Sequence, residues 1–200
     1  MIEFNRNLLK TNVESTIQQT LTDELYNSFS SFLFERSFEK KHLLSEEGKH
    51  CKYIYFIQQG SCYSSIVNEK GDKHAIQFAL EGYWISDLYS FFSGKQAIYN
   101  IETLEPTTAL LLNIESSDKL CNAHPLFDRF WRILIQRAYV SLQYRLAKTN
   151  SEEAEHRYLE FSKLHPDFIE RIPQYLIASY LGIKPQSLSR IRNELVRRKK

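Results

Sequence analysis

The sequence has no long run of apolar residues. Its longest purely aliphatic stretch is Ala109 to Leu112, whereas a membrane-spanning helix needs about 20 such residues. The first residues, Met1 to Arg6, contain no apolar core of the kind found in signal peptides. We therefore expect a cytoplasmic protein with no membrane partner.

Cysteine is scarce and is not arranged for pairing. The three cysteines, Cys51, Cys62 and Cys121, are widely spaced and form no C-x-x-C pair. This pattern argues against a disulfide framework and against a zinc site. We expect reduced thiols and no cofactor.

Motifs for catalysis are also missing. His42, His50 and His74 are isolated, and no H-x-H pair of the kind used by metalloenzymes with β-barrels occurs anywhere. No G-x-S-x-G, P-loop or H-E-x-x-H motif is present either. We expect this protein not to be an enzyme.

What the chain does contain is a large apolar fraction and an uneven charge. Its 200 residues are 42% hydrophobic and 14% aromatic, which is enough for a substantial core. The residues from Arg171 onward carry a formal charge of +7, and the rest of the chain carries −5. This asymmetry indicates a polyanionic partner at the C-terminal end, although a solvated basic tail is an alternative.

The N-terminal part reads first as helix and then as strands. Residues 12–33 are predicted to be helical, with a start signal at Thr22 and one apolar face consisting of Ile17, Leu21, Leu25, Phe29 and Phe32. From 36 to 116, apolar residues alternate with polar ones, and glycines recur every 11 or 12 residues. This spacing predicts an all-β sandwich or barrel, with a hairpin turn at Asn68–Asp72.

A helical period returns from Pro125 to about Lys148. Its apolar surface is too broad for one barrel to cover, so we expect a partner helix in a homodimer. The dimer-helix candidates are Trp131, Leu134, Ile135, Ala138 and Leu142. Thr149-Asn150-Ser151 is predicted to end this helix, with Ser151 starting the next. The predicted domains are residues 1–124, 125–150 and 151–200.

The segment from Ile172 to Leu195 predicts two short helices joined by a turn. Pro173 suits the first position of a helix. The first helix is predicted over 174–181, and Gly182 permits the left-handed conformation that ends it. Pro185 begins the second helix. There Leu188, Ile191 and Leu195 form an apolar face.

The opposite face of this second helix carries side chains that hydrogen-bond to base edges or phosphates. This is the arrangement of a helix-turn-helix whose second helix enters the major groove of double-stranded DNA. The candidate DNA-binding residues are Gln174, Tyr175, Lys184, Gln186, Ser187, Ser189, Arg190, Arg192 and Asn193. The basic tail, Arg197 to Lys200, adds sequence-independent attraction to phosphates.

Three stretches resemble the Crp/Fnr superfamily of bacterial transcription regulators: 51–60, 77–88 and 177–192. The chain is most similar to short members from Bacteroidetes. The resemblance implies an α+β protein: an N-terminal β jelly-roll (double-stranded β-helix) sensor domain, a long dimerisation helix and a C-terminal all-α helix-turn-helix domain. It also implies a homodimer that reads a palindromic operator, RNA polymerase as a partner, and in many members a small-molecule effector.

The resemblance also marks a departure in the sensor domain. Relatives that bind cyclic nucleotides carry a Gly-Glu pair whose carboxylate holds the ribose, followed by an Arg that neutralises the phosphate. Here these positions read Ser86-Asp87-Leu88 and Ala97-Ile98. Asp87 could accept from a hydroxyl, but Ala97 cannot pair with a phosphate, so we expect no tight binding of cyclic AMP. Candidate pocket residues are Ser86, Asp87, Leu88, Ala97, Tyr99 and Tyr139.

In the second helix, Gln186 and Arg190 match positions that read bases in the family, and Ser187 matches one that contacts phosphate. Pro185 stands where some relatives carry a base-contacting Arg, so the preferred DNA sequence should differ there. The few residues after Leu195 leave no room for the β-hairpin wing that family members often have.

One alternative stays open. The chain could be a ligand-sensing jelly-roll module that acts through protein–protein contacts rather than DNA. Arg190 distinguishes the two, because its loss costs sequence preference only if it reads a base.

Overall fold

The computed structural model describes residues 6–198, with side chains from Asn7 onward. The chain divides into two compact units. The first contains the described residues up to Ser64 together with Gln77–Arg137, and the second contains Ser65–Ile76 together with the described residues from Ala138 onward. No helix in the described range is long and apolar enough to cross a membrane.

The N-terminal part of the chain is built from eight strands and four helices within the described range. In chain order they are α1 (Arg6–Ile17), α2 (Asp23–Ser31), β1 (Phe34–Phe38), β2 (Leu43–Ser45), β3 (Tyr53–Gln59), β4 (Cys62–Val67), β5 (Lys73–Ala79), β6 (Trp84–Ile85), α3 (Leu88–Ser93), β7 (Asn100–Thr103), β8 (Thr107–Asn113) and α4 (Ile114–Ala123). The strands form two four-stranded sheets, ordered β1-β8-β3-β6 and β2-β7-β4-β5. The predicted α+β class is therefore confirmed, with antiparallel pairing of β3 to β6 and β8.

The apolar runs in β3 and β8 have a structural reason. Successive side chains in a strand point to opposite faces. Ile54 and Leu110 pack in a cluster with the helices, whereas Tyr55 and Leu111 pack in a second cluster with Ile101 of the other sheet. Because this sheet is covered on both faces, its central strands carry runs of consecutive apolar residues, at 53–57 in β3 and at 109–112 in β8, rather than a strict alternation.

The prediction of one continuous helical segment at 12–33 is wrong. The chain forms two helices, α1 and α2, because Gln18 adopts a left-handed backbone with φ of 54°. The Glu14 carboxylate accepts from the Leu21 N–H at 2.8 Å, and the Thr22 hydroxyl accepts from the Leu25 N–H. Thr22 therefore caps the start of α2, as its residue type predicted.

The long helix is confirmed as α5 (Leu126–Ser151), but its predicted end is wrong. The hydroxyls of Thr149 and Ser151 donate to carbonyls one turn earlier, at 2.9 Å in both cases. This bonding within the helix lets both residues continue it. The next helix, α6, begins at Ala154 instead of near Ser151.

The second unit contains the C-terminal part of α5 and four further helices. They are α6 (Ala154–Leu164), α7 (Pro166–Arg171), α8 (Gln174–Tyr180) and α9 (Pro185–Arg198). Helix α8 begins at Gln174, as predicted, and Pro173 lies just before it rather than at its first position. Gly182 adopts a φ of 64° after α8, as predicted, and Ile183 is buried in the turn.

The hairpin between β4 and β5 is also confirmed. The Asn68 side-chain oxygen accepts from the N–H groups of Lys70 and Asp72, both at 2.9 Å, and Gly71 has a φ of 83°. This hairpin contacts α8 within the second unit. The Ser179 hydroxyl accepts from the Ala75 N–H at 3.0 Å and lies 3.2 Å from the Lys73 carbonyl, to which it donates.

Candidate functional site

Helix α9 divides into a buried and an exposed face. Leu188 and Ile191 are buried at 1% and 6% exposure, and Leu195 is half-buried. The polar residues predicted to read bases, Gln186, Ser189, Arg190 and Asn193, are all exposed. Helical spacing places the apolar and polar residues on separate faces, because residues three and four apart share a face.

Arg190 is an exposed cation on this face. Its side chain is 77% exposed, and its Nε lies 3.9 Å from the Glu194 carboxylate. An exposed ion pair at this distance contributes little, because water and salt screen it. The guanidinium can therefore exchange this contact for a stronger bidentate one.

The remaining predicted DNA-binding residues surround this face unequally. Lys184, Arg192 and Tyr175 are exposed, whereas Ser187 is half-buried. Gln174 is half-buried too, and its side-chain amide donates to the Ile169 carbonyl at 3.3 Å. Gln174 thus links α8 to α7, while Lys184, Arg192 and Tyr175 stay exposed.

The basic tail is only partly described. The Arg198 guanidinium donates to the Glu155 carboxylate at 2.6 Å, yet 62% of its side chain stays exposed. Arg197 is exposed as well. Lys199 and Lys200, which the charge argument included, lie outside the described residues.

Two arginines that the sequence analysis missed hold the turn between α8 and α9. Arg157 donates to the carbonyls of Leu181 and Gly182, at 3.0 and 3.3 Å. Arg145 donates to the Tyr180 carbonyl at 3.2 Å and lies 4.3 Å from the centre of the Tyr180 ring. These bonds satisfy the carbonyls at the end of α8 and fix the direction in which α9 leaves the turn. No local sequence pattern marks these two residues.

A cavity of about 560 Å³ lies within the second unit, beside α9. Its apolar lining includes Tyr158, Leu159, Ile169, Tyr175, Leu195 and Val196. Arg192 and Asn193 also line it. No local sequence pattern predicts this cavity.

The predicted pocket residue Asp87 lies at 0% exposure in the first unit. Its Oδ1 accepts from the Ser90 N–H at 2.9 Å, and its Oδ2 accepts from the N–H groups of Ile98 and Tyr99 at 2.7 and 2.8 Å. Both carboxylate oxygens therefore already accept from the chain, and a ligand hydroxyl would compete with these bonds. That Asp87 accepts from a ligand stays a prediction.

The other pocket candidates are distributed between the two units. Ser86 is buried and donates to the Tyr53 carbonyl at 3.0 Å, Ala97 is buried at 3% exposure, and Leu88 packs on the apolar core. Tyr99 is joined to Asp87 through its N–H. Tyr139 belongs to the second unit and is 60% exposed.

The dimer-helix candidates fall into two groups along α5. Trp131 packs inside the core of its own chain, with its ring centre 5.0 Å from that of Trp84, and Leu134 packs against the same core. Ile135, Ala138 and Leu142 are exposed. The exposed apolar surface of α5 therefore begins near Ile135.

The cysteines form no disulfide in the structure. Burial and the neighbouring Asp128 raise the pKa of Cys121 to about 12, and burial also raises the pKa of Cys62. Both changes favour the neutral, unreactive thiol. Within residues 6–198, no three His, Cys, Asp or Glu side chains cluster in a way that could hold a metal ion.

The sequence and the structure were compared with known protein families and solved structures. Residues 35–124 match the cyclic nucleotide-binding domain family. FixK2 from Bradyrhizobium japonicum is 18% identical, with a TM-score of 0.72 over 84% of this chain and 86% of that one. No curated protein matches the sequence.

Two further solved structures share the fold. The catabolite activator protein of Thermus thermophilus is 16% identical, with a TM-score of 0.60 over 92% of this chain and 88% of that one. A transcriptional regulator assigned to the Crp/Fnr family from Eubacterium rectale is 15% identical, with a TM-score of 0.67 over 88% and 85%. At these identities the matches establish the fold, and the predicted resemblance is confirmed at that level.

Proposed function

We propose that this chain, which contains a cyclic nucleotide-binding domain at residues 35–124 and is of the Crp/Fnr type in fold, regulates transcription by binding double-stranded DNA through α8 and α9. The observation that carries the proposal is the exposed polar and basic face of α9 over its buried apolar face. On this reading, residues 151–200 form the helix-turn-helix domain, residues 125–150 the dimerisation helix, and residues 1–124 a jelly-roll sensor domain.

The roles of individual residues follow from their exposure. The major groove admits an α-helix, and arginine pairs bidentately with guanine while glutamine pairs with adenine. We therefore assign base reading to Arg190 and Gln186, with Ser189 and Asn193 beside them. Lys184, Ser187 and Arg192 would contact phosphates, and Tyr175 and Gln174 would border the same groove.

The exposed apolar residues of α5 support a homodimer. Ile135, Tyr139, Leu142 and Leu146 are between 36% and 60% exposed in the single chain. Their spacing of four, three and four is that of a helix seam in a coiled coil. A two-fold dimer presents two copies of α9, which explains why the operator would be palindromic.

Control of the regulator would not involve cyclic AMP. Ala97 offers no charge to a phosphate, and Asp87 already accepts three backbone N–H groups. The protein would respond to a different small effector or to none, and would act with RNA polymerase as its partner. Isothermal calorimetry checks this part, since low-micromolar binding of cyclic AMP would contradict it.

The DNA-binding proposal is tested by selecting sites from a random duplex library with the purified protein. An inverted repeat should be enriched, and its affinity should fall steeply as salt rises, because bound phosphates release counterions. Arg190→Ala should lose the sequence preference, whereas Arg36→Ala, which removes an exposed arginine from β1, should keep it. A basic C-terminus that binds protein instead would enrich no sequence, in either buffer or cell extract.

A further inference from the structure

The carboxylate of Asp87 fills an anion site that the fold itself creates. We infer that it acts as a built-in ligand of the first unit, which holds residues 87–99 in their folded arrangement without any anion from solution. This inference does not depend on DNA binding.

The geometry of the donors supports this inference. Ile98 and Tyr99 are consecutive, and both of their N–H groups point at Oδ2, at 2.7 and 2.8 Å. Successive backbone N–H groups that converge on one point make an anion-binding concavity. Here the anion in that concavity comes from a residue 11 and 12 positions earlier in the chain.

The second oxygen ties this concavity to α3. Oδ1 accepts from the Ser90 N–H at 2.9 Å, so that Asp87 is also the N-terminal cap of α3. One carboxylate therefore joins the start of α3 to the segment that follows it. A neutral cap such as serine or asparagine could satisfy Ser90, but it could not supply a negative charge to Ile98 and Tyr99.

The surroundings leave the carboxylate closed to solvent. Asp87 is 0% exposed, and its neighbours Ser90 and Ala97 are 2% and 3% exposed. The Ser90 hydroxyl accepts from the Cys51 N–H at 2.9 Å and donates to the Lys95 carbonyl at 2.6 Å. An external phosphate could reach the N–H groups of Ile98 and Tyr99 only by displacing a buried carboxylate from its hydrogen bonds.

The test separates the anion from the helix cap. Asp87→Ser keeps a hydroxyl that can cap α3 but removes the charge, and Asp87→Gly removes both. Each variant is measured by thermal unfolding and by amide hydrogen exchange, in sodium formate and in sodium chloride at the same ionic strength. Formate is the probe because it is the carboxylate group alone.

In chloride, the amides of Ile98 and Tyr99 should exchange roughly 10- to 100-fold faster in both variants, as expected when hydrogen bonds to a charged acceptor are lost. Formate should restore their protection and raise the melting temperature in a saturable way. The matched control is Asn113→Gly, which removes the cap of α4. It should be destabilised equally in formate and chloride.

Two results would overturn the inference. The first is a folded Asp87→Ser protein in which formate restores nothing beyond chloride, because Asp87 would then be only a helix cap. The second uses the unaltered protein and so does not depend on a variant folding. If inorganic phosphate shifts the amide resonances of Ile98 and Tyr99, the site is open to external anions and the carboxylate is not its resident ligand.

Discussion

The segment around Asp87 and the exposed face of α9 differ in the burial and hydrogen bonding of their polar groups. Asp87 is buried, and both of its oxygens accept hydrogen bonds from the chain. Arg190 is 77% exposed, and its ion pair with Glu194 is long and screened. A polar group that is satisfied internally contributes to stability, whereas one left open is available to a partner. The comparison predicts that mutations in the two regions affect different measurements.

The largest expected effect on stability is at Asp87. Asp87→Ala leaves three N–H groups without their acceptor, and each buried unsatisfied group costs about 1–3 kcal/mol. We expect the free energy of unfolding to fall by about 3 kcal/mol or more in urea denaturation. Asp118→Ala, which removes an exposed carboxylate from α4, should stay within about 0.5 kcal/mol. If both variants lost the same free energy of unfolding, the hydrogen bonds of the buried Asp87 carboxylate would not be what stabilises this segment.

The next largest effect is expected in α5, a single helix that contains both buried and exposed apolar residues. Its first turns bury Phe127, Phe130 and Trp131 in their own chain, whereas Leu142 is 47% exposed. Leu142→Glu should weaken the dimer by about 2 kcal/mol or more, since a buried leucine contributes about 1.5–3 kcal/mol. Sedimentation equilibrium measures this, with Ser141→Glu on the neighbouring exposed position as control. A dimer unaffected by Leu142→Glu would place the interface elsewhere.

Arg190→Ala should change DNA recognition and leave stability alone. Loss of a bidentate base contact costs about 1–3 kcal/mol of discrimination, measurable by competition between the selected site and a site with one base pair changed. The urea midpoint should not move, because the side chain is exposed. A variant that unfolds more readily would show that Arg190 supports the fold instead.

The smallest effect is a pH dependence in the second unit. Burial lowers the pKa of His165, whose ring contacts those of Phe161 and Phe168. The folded state therefore prefers the neutral ring. Stability should be complete above the unfolded pKa of about 6.5 and should fall as the pH drops through the lower folded value. Melting temperatures between pH 5 and 8 test this, and His165→Gln should flatten the profile. An unchanged slope in that variant would assign the dependence to another group.

Elements that depend on local spacing could be predicted from the sequence. The two faces of α9 follow from helical periodicity over a few turns, and the Asn68–Asp72 turn follows from side-chain bonds within five residues. The alternating apolar residues and the regular glycines of 36–116 predicted the strands there. In each case the interacting groups are close together in the chain, so their residue types carry the information.

Tertiary structure alone decided the roles of Asp87, Arg157 and Trp131. Asp87 accepts from backbone N–H groups, which every residue other than proline possesses. The residue types at 98 and 99 therefore do not indicate that these groups bind a carboxylate. Arg157 caps carbonyls more than 20 residues away, and Trp131 lies on the apolar stripe of α5 yet is covered by its own chain. Sequence determined which surfaces are apolar, polar or basic because those properties belong to the residues. The fold determined which of them stay open, because burial depends on what the rest of the chain brings alongside.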